Sequence, residues 1–472
     1  MKFRLFTLLM ITTLLLGLTG VQPTQAAAYG TQFVTSITYQ NVGTGPATIT
    51  VDFYAEGNAA PITITLDPLA KGAGTSLFIG GVSQVSAGFR GSAVMSSDQP
   101  LVATLVQLPP GTSSVKNRPL SNGFSGGAPF VMIPTVLKNV FGSTSVFTVQ
   151  NADEVGADLT LVFTPVSGTS FTKTVTNLPS GAAKYYDLGT EADVPATFNG
   201  SVSITAKKTG TQQDGSVIAT SMELGVANDS VYAFEGISQS ANTFYMPSAF
   251  CDWSARQQNS AYAVQNAGTS GNASVTVTYS NGIKDGPVSI APGAKTSFTG
   301  CKVNPAGFIG SATITSTGAP IVAIGKVTGS GLSTAFLGVG SGANKIALPY
   351  VRWTEAQWLN GGRQRGNVAI QNVGGSSIPA GSIMVKYYNN VGTLVGTHTI
   401  NTALAVGAKT NSNPMATGVA SPEFGYWGSQ FGGSAIVEAP AGSQLAVIVR
   451  IETYMPSTGA TVGEDYNGIP IP

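Results

Sequence analysis

Apolar and polar residues alternate along most of this chain, and one alternating pattern recurs four times. Ile49, Val51 and Phe53, then Leu159, Leu161 and Phe163, then Val275, Val277 and Tyr279, then Ile383, Val385 and Tyr387 occupy every second position, with mostly Thr, Ser or Lys between them. A period of two, not 3.6, predicts strands with one face in a core and the other in water. A second alternating segment begins at Phe89, Phe198, Phe308 and Phe431, reading "FRGSAVM", "FNGSVSI", "FIGSATI" and "FGGSAIV". With the phenylalanine inward, a glycine follows on the buried face, then a small residue, then a medium one. Glycine at such a place predicts close approach by an opposing backbone or a large ring. The intervening Ser92, Ser201, Ser311 and Ser434 then point outward, and are expected to be solvated hydroxyls.

Other markers fix the repeat. "YQN", "VQN", "VQN" and "IQN" end at Asn41, Asn151, Asn266 and Asn372, a spacing of about 110 residues that signals an internal repeat. Gly123, Gly236 and Gly338 precede Pro134, Pro247 and Pro349 by one constant interval. Those prolines suit module boundaries, because proline limits ladder pairing. Gly-Ala turns follow in "LAKGAGTSL", "LPSGAAKYY", "IAPGAKTSF" and "LAVGAKTNS". The expected organisation is a leader over 1–26 and β modules over 27–128, 129–243, 244–346 and 347–472, the last with longer aromatic-rich loops. About seven strands per module and almost no helical pattern predict an all-β chain of four tandem immunoglobulin-like sandwiches in an elongated array.

The run "VQNAGTSGNASVTVTYS" with its later "APGAKTSF" resembles the tandem Ig-like, adhesion-related (CARDB-like) modules of bacterial secreted and cell-surface proteins. The resemblance covers all four repeats through short motifs, and the second departs from it where Asp153 replaces the turn glycine. It implies a surface-displayed structural or adhesive role and transfers no binding residues.

Composition narrows the partners. Only 10% of residues are charged and the net charge is +1, so there is no electrostatic footprint for nucleic acid and no basic patch for a membrane surface. The expected partners are a second copy, other cell-envelope proteins or polysaccharide. Lys2 and Arg4, the apolar run Leu5 to Leu18 and the small residues of "PTQAAA" read as a secretory signal cleaved after Ala26 or Ala28. No later segment is long and apolar enough to span a bilayer, and a secreted or cell-surface location follows. Cys251 and Cys301 fall in one repeat, which in an oxidising compartment predicts a disulfide. Closing that loop stabilises by roughly 4 kcal/mol in the chain-entropy model.

Candidate chemistry is sparse. The single histidine, His398, sits in a polar alternating strand and reads as an exposed strand residue, not a base. No nucleophile elbow, phosphate loop or dinucleotide fingerprint appears, so no enzyme and no cofactor are expected. Asp153, Glu154 and Asp158 lack an EF-type spacing and read as a solvated turn sooner than a Ca²⁺ site; no metal is expected. Function should lie where the repeats differ. The last module alone brings Arg352, Trp353, Trp358, Arg363 and Arg365 together and adds Tyr426 and Trp427. Trp353, Trp358, Arg363, Arg365, Tyr426 and Trp427 are the candidate ligand or partner site; such rings serve as a platform for sugars or a protein hot spot, or plug the end of a sandwich. The leading expectation is a non-enzymatic structural or adhesive protein of the cell exterior, and the alternative a carbohydrate-binding array. Finally, modules two to four open with "FVMIPTVL", "FYMPSAF" and "IALPYV", while the first opens with "AAYGTQF". An absent first strand leaves an edge that either pairs with a partner strand or simply ends at the surface.

Overall fold

The computed structural model describes residues 27–472 apart from 112, 359–361, 418–432 and 457–458. The leader assigned to 1–26 lies outside the described residues. The chain is all-β: eight antiparallel sheets and three short 3₁₀ turns, with no α-helix among the described residues. The sheets fall into four successive units.

The first unit holds β1 Val34–Asn41, β2 Ala47–Ala55, β3 Pro61–Leu69, β4 Gly74–Phe78, β5 Gly91–Ser97, β6 Leu101–Leu108 and β7 Leu120–Asn122, in sheets β4-β1-β6-β7 and β3-β2-β5. The second adds a strand in front: β8 Phe130–Lys138, β9 Ser143–Asn151, β10 Ala157–Pro165, β11 Phe171–Leu178, β12 Ala183–Asp187, β13 Phe198–Lys208, β14 Val217–Gly225 and β15 Val231–Glu235, in sheets β12-β9-β14-β15 and β11-β10-β13-β8. The third repeats this plan with β16 Thr243–Cys251, β17 Asn259–Asn266, β18 Ala273–Tyr279, β19 Lys284–Ile290, β20 Lys295–Thr299, β21 Phe308–Gly318, β22 Ile321–Thr328 and β23 Ser333–Leu337. The fourth carries β24 Lys345–Leu348, β25 Trp353–Trp358, β26 Gly362–Asn372, β27 Ile383–Tyr388, β28 Leu394–Ile400, β29 Lys409–Ser412, β30 Ser434–Glu438, β31 Leu445–Met455, β32 Ala460–Asn467 and β33 Ile469–Pro470.

The alternating residues face the core as their period requires: Ile49, Val51, Phe53, Leu161, Phe163, Val275, Val277, Val385 and Tyr387 are all fully buried. The glycine of the Phe-x-Gly-Ser segment meets a backbone and a ring together. A Cβ on Gly91 or Gly200 would strike the carbonyl of Tyr54 or Thr164 on the neighbouring strand, and also the ring of Phe89 or Phe198.

The Gln-Asn signature is a clamp, and it is made of the same bonds in every unit. The Nδ2 of Asn41, Asn151, Asn266 and Asn372 donates to the following turn, at Gly45, Val155, Gly271 and Ser376 O, and across the sandwich to Leu69, Leu178, Ile290 and Leu404 O. The Oδ1 accepts the N–H two residues on. A buried amide with its bonds made pins a turn in place, and leaving those partners unmet would cost free energy.

The expected elongated array does not form. The edge strands β7, β15, β23 and β32 touch in succession, β7 with β15, β15 with β23, β23 with β32, and β32 again with β7. The units therefore close into a ring. One apolar core runs through the second and third units and takes in Ile448; another fills the fourth and takes in Val106 and Leu120 of the first. Tandem spacing along a chain cannot distinguish a rod from a ring, because closure depends on the outer faces.

Candidate functional site

The ring is cemented at two radii. Near the centre, Arg118 pairs with Glu464 and Lys326 with Glu223, all with little or no exposure on the carboxylate side. Arg450 holds Asp465 at 2.5 Å, and Asp465 also accepts from Thr334 Oγ1 at 2.9 Å. Asn467 exchanges two bonds with the Leu337 backbone, and Asn122 Nδ2 donates to Asn467 O at 2.8 Å. Glu235, itself buried, accepts the Asn122 N–H, and that burial pushes its carboxyl up to about 7. Burial raises the Glu464 carboxyl as well, against the opposing pull of Arg118. Groups this dry are held by their partners, and losing one partner strands the other.

Farther out, three of the four junctions reuse the repeat motifs. Ser92, Ser201 and Ser311 donate to Gly181, Gly293 and Gly407 O of the following unit at 2.7, 2.6 and 3.2 Å. The same three carbonyls accept from Gln150, Gln265 and Gln371 of their own unit. The serines are thus not solvated hydroxyls: Ser201, Ser311 and Ser434 are at most 1% exposed. Alternation places them outside their own sandwich, but the next unit covers them. Lys295 reaches back from the Gly-Ala turn to Thr135 Oγ1 at 2.9 Å, and burial pushes its amine down to about 8.

The predicted aromatic and arginine cluster is partly visible. Trp353 is half-buried at the start of β25, directly opposite Arg365 on β26. The Arg365 guanidinium lies 4.6 Å over the indole, with its Nη1 donating to Thr354 and Gln364 O. Arg363 is exposed and sits 5.6 Å from the Tyr454 ring. Arg352 is buried 4.1 Å over Tyr350. Trp358 pairs through its backbone with Gly362, but its side chain lies outside the described residues, as do Tyr426 and Trp427.

Elsewhere the chemistry is engaged in structure. His398 is half-buried, not exposed, and its Nδ1 lies 2.9 Å from Ser412 Oγ, which also meets the Tyr387 hydroxyl at 2.8 Å. Ser412 is 1% exposed, so this triplet is a buried link between strands. Asp158 accepts the Asn177 N–H and the Thr209 hydroxyl, bonds that lower its carboxyl. Among the described residues Asp153, Glu154 and Asp158 do not bring their oxygens within ion-binding distance of one another. Cys251 and Cys301 are joined in a disulfide, so their proximity to Asp252 is not a metal centre.

One vacancy interrupts the pattern. In the second, third and fourth units the first strand, β8, β16 or β24, lies along β13, β21 or β30. In the first unit nothing described lies along the outer edge of β5. Residues 28–33 run instead onto the second unit, where Ala28 and Tyr29 N–H donate to Asn228 and Gly225 O, and the Tyr29 hydroxyl donates to Asp187. Comparison with known proteins finds no matching family model and no matching curated protein.

Proposed function

We propose that this protein is a non-catalytic structural or adhesive component of the cell exterior. The observation that carries the reading is that the polar groups are engaged in structure: asparagine clamps inside each unit, Ser–Gly bonds and buried ion pairs between units. Such a body suits display of a fixed outer surface. Export rests on the leader-like N-terminus and on the Cys251–Cys301 disulfide, which persists in oxidising compartments. The reading is tested by fractionating the native host and sequencing the protein's N-terminus. Recovery from the envelope or medium, beginning at Ala27 or Tyr29 with the cysteines oxidised, supports it; a cytoplasmic protein with free thiols overturns it. The carbohydrate reading rests on Trp358, Tyr426 and Trp427, and among the described rings Trp353 is already stacked beneath Arg365.

A further inference from the structure

The first strand does two things in each complete unit. It adds to one sheet, and it also pairs with the segment that follows the edge strand of the facing sheet: Met132 with Ile237, Tyr245 with Val339, and Ile346 and Ala347 with Pro470 and Ile469. Its side chains press on a glycine at the end of the last strand. A Cβ on Gly236 would strike Val131; on Gly338, Phe244 and Met246; on Gly468, Ile346 and Leu348. In the first unit Gly123 holds this place, and a Cβ there would meet only Ala103 at ordinary contact distance. The notch is present, and no described residue fills it.

Both walls of the vacancy show the loss. Ala93, Met95, Leu101 and Leu105 are only half-buried, while their counterparts Val202, Ile204, Val217 and Ser221 are at most 1% exposed. Across the junction, Ile218 and Thr220 on the outer face of β14 are half-buried, whereas Val322 and Ile324, which occupy the same places beneath β8, are fully buried. The bare edge of β5 carries no charge, although exposed edges are ordinarily protected by charges, prolines or bulges.

We infer that the cleft between the first and second units is a strand-docking site for an extended segment of another protein, apolar at alternate positions, uncharged along its length and basic at its C-terminal end. The apolar pattern is that of β8, whose Val131, Ile133 and Val136 are buried. The basic end follows from the carbonyl acceptors of the turn: Lys138 caps β8 by donating to Glu191 and Val194 O, the Val194 N–H itself donates to Glu191 O, and the first unit repeats that turn with Val85 N–H donating to Val82 O. The chain's own upstream sequence fits poorly. Aligning Pro23 with Pro134 puts Gly20 and Gln22 where Val131 and Ile133 stand. Docking would add main-chain bonds along β5 and fill pockets at alternate residues, the mode of strand addition. The inference rests on removal of the leader, as in the reading proposed above, and otherwise on this geometry.

The test uses the full mature chain and a fluorescent peptide with the sequence of Pro129–Lys138 as probe. One peptide should bind per chain and slow hydrogen exchange across Gly91–Ser97 and at Phe124. A peptide with Val131, Ile133 and Val136 changed to Asn should bind about a hundredfold more weakly, having lost three apolar anchors. Gly123→Leu, which fills the notch, and Met95→Lys should each weaken binding about tenfold or more while the free chain keeps its melting temperature. The proposal is overturned by absence of saturable binding, by protection of β13 or β21 in place of β5, or by binding indifferent to Gly123→Leu. It is equally overturned if the native protein already protects β5 with its own residues 19–26 or through a concentration-dependent dimer.

Discussion

The first and second units share the asparagine clamp, the Phe-x-Gly-Ser strand and the order of their sheets, yet they are not equally finished. The second encloses Val202 and Ile204 beneath β8, while the first leaves Ala93 and Met95 at an open edge. A sandwich with no described strand along the outer edge of β5 still forms here because its other faces are borrowed: Val106 and Leu120 join the fourth unit's core, and Arg118 pairs with Glu464. The comparison teaches that fold motifs and closure are separable, the former set inside a unit and the latter by its neighbours.

If the first unit depends on borrowed contacts, Arg118→Ala should have the largest effect. It leaves Glu464 buried without its cation, a loss of about 3–5 kcal/mol, and hydrogen exchange should show β1 to β7 opening before β8 to β15. Simultaneous exchange in both units would break the comparison. The third unit differs from the second in how the first strand is tethered to the turn before the Phe-x-Gly-Ser strand: a disulfide in one, the Lys138 amine in the other. Changing Cys251 and Cys301 to Ala should cost up to about 4 kcal/mol, and Lys138→Met about 1–3 kcal/mol, both read from denaturant unfolding. Core truncation gives the direct contrast between closed and open units. Ile204→Ala should cost about 2–5 kcal/mol, and Met95→Ala under about 1 kcal/mol because its side chain already meets water; equal costs would mean that the β5 edge is covered in solution.

The last contrast is in pH. Glu235 titrates near 7 when folded and near the ordinary carboxylate value when unfolded, so the folded state binds the extra proton and this group's contribution falls as pH rises between those values. Lys295, lowered to about 8, acts in the opposite sense: the unfolded state binds the extra proton above 8, so stability rises from there toward the ordinary lysine range. Glu235→Gln should flatten the acidic-side slope of a melting-temperature profile, and Lys295→Met the alkaline one, which Lys409, also lowered to about 8 by burial, shares.

Much of each unit was legible in the sequence. Period two gave the strands, because a half-buried sheet leaves no other pattern, and the inward glycine predicted the close approach found at Gly91 and Gly200. The Gln-Asn repeat was visible but its purpose was not, since the carbonyls it clamps, such as Leu178 O for Asn151, lie on another strand. The serines misled for a related reason: alternation tells which side of a sheet a residue faces, not what stands opposite. Closure was illegible because it rests on pairs as distant as Asn122 and Asn467. Of the candidate site, Trp353 and Arg365 do meet, through cross-strand pairing that their spacing alone did not reveal.

The contact of β7 with β32 has a consequence for inheritance. In an open stack of repeats, each member touches only its neighbours, and one can be gained or lost at an end with little penalty to the others. A circle has no end. Deleting one member here would leave two surfaces too far apart to meet, and duplicating one would push them out of line. Gain or loss of one repeat should therefore open this ring.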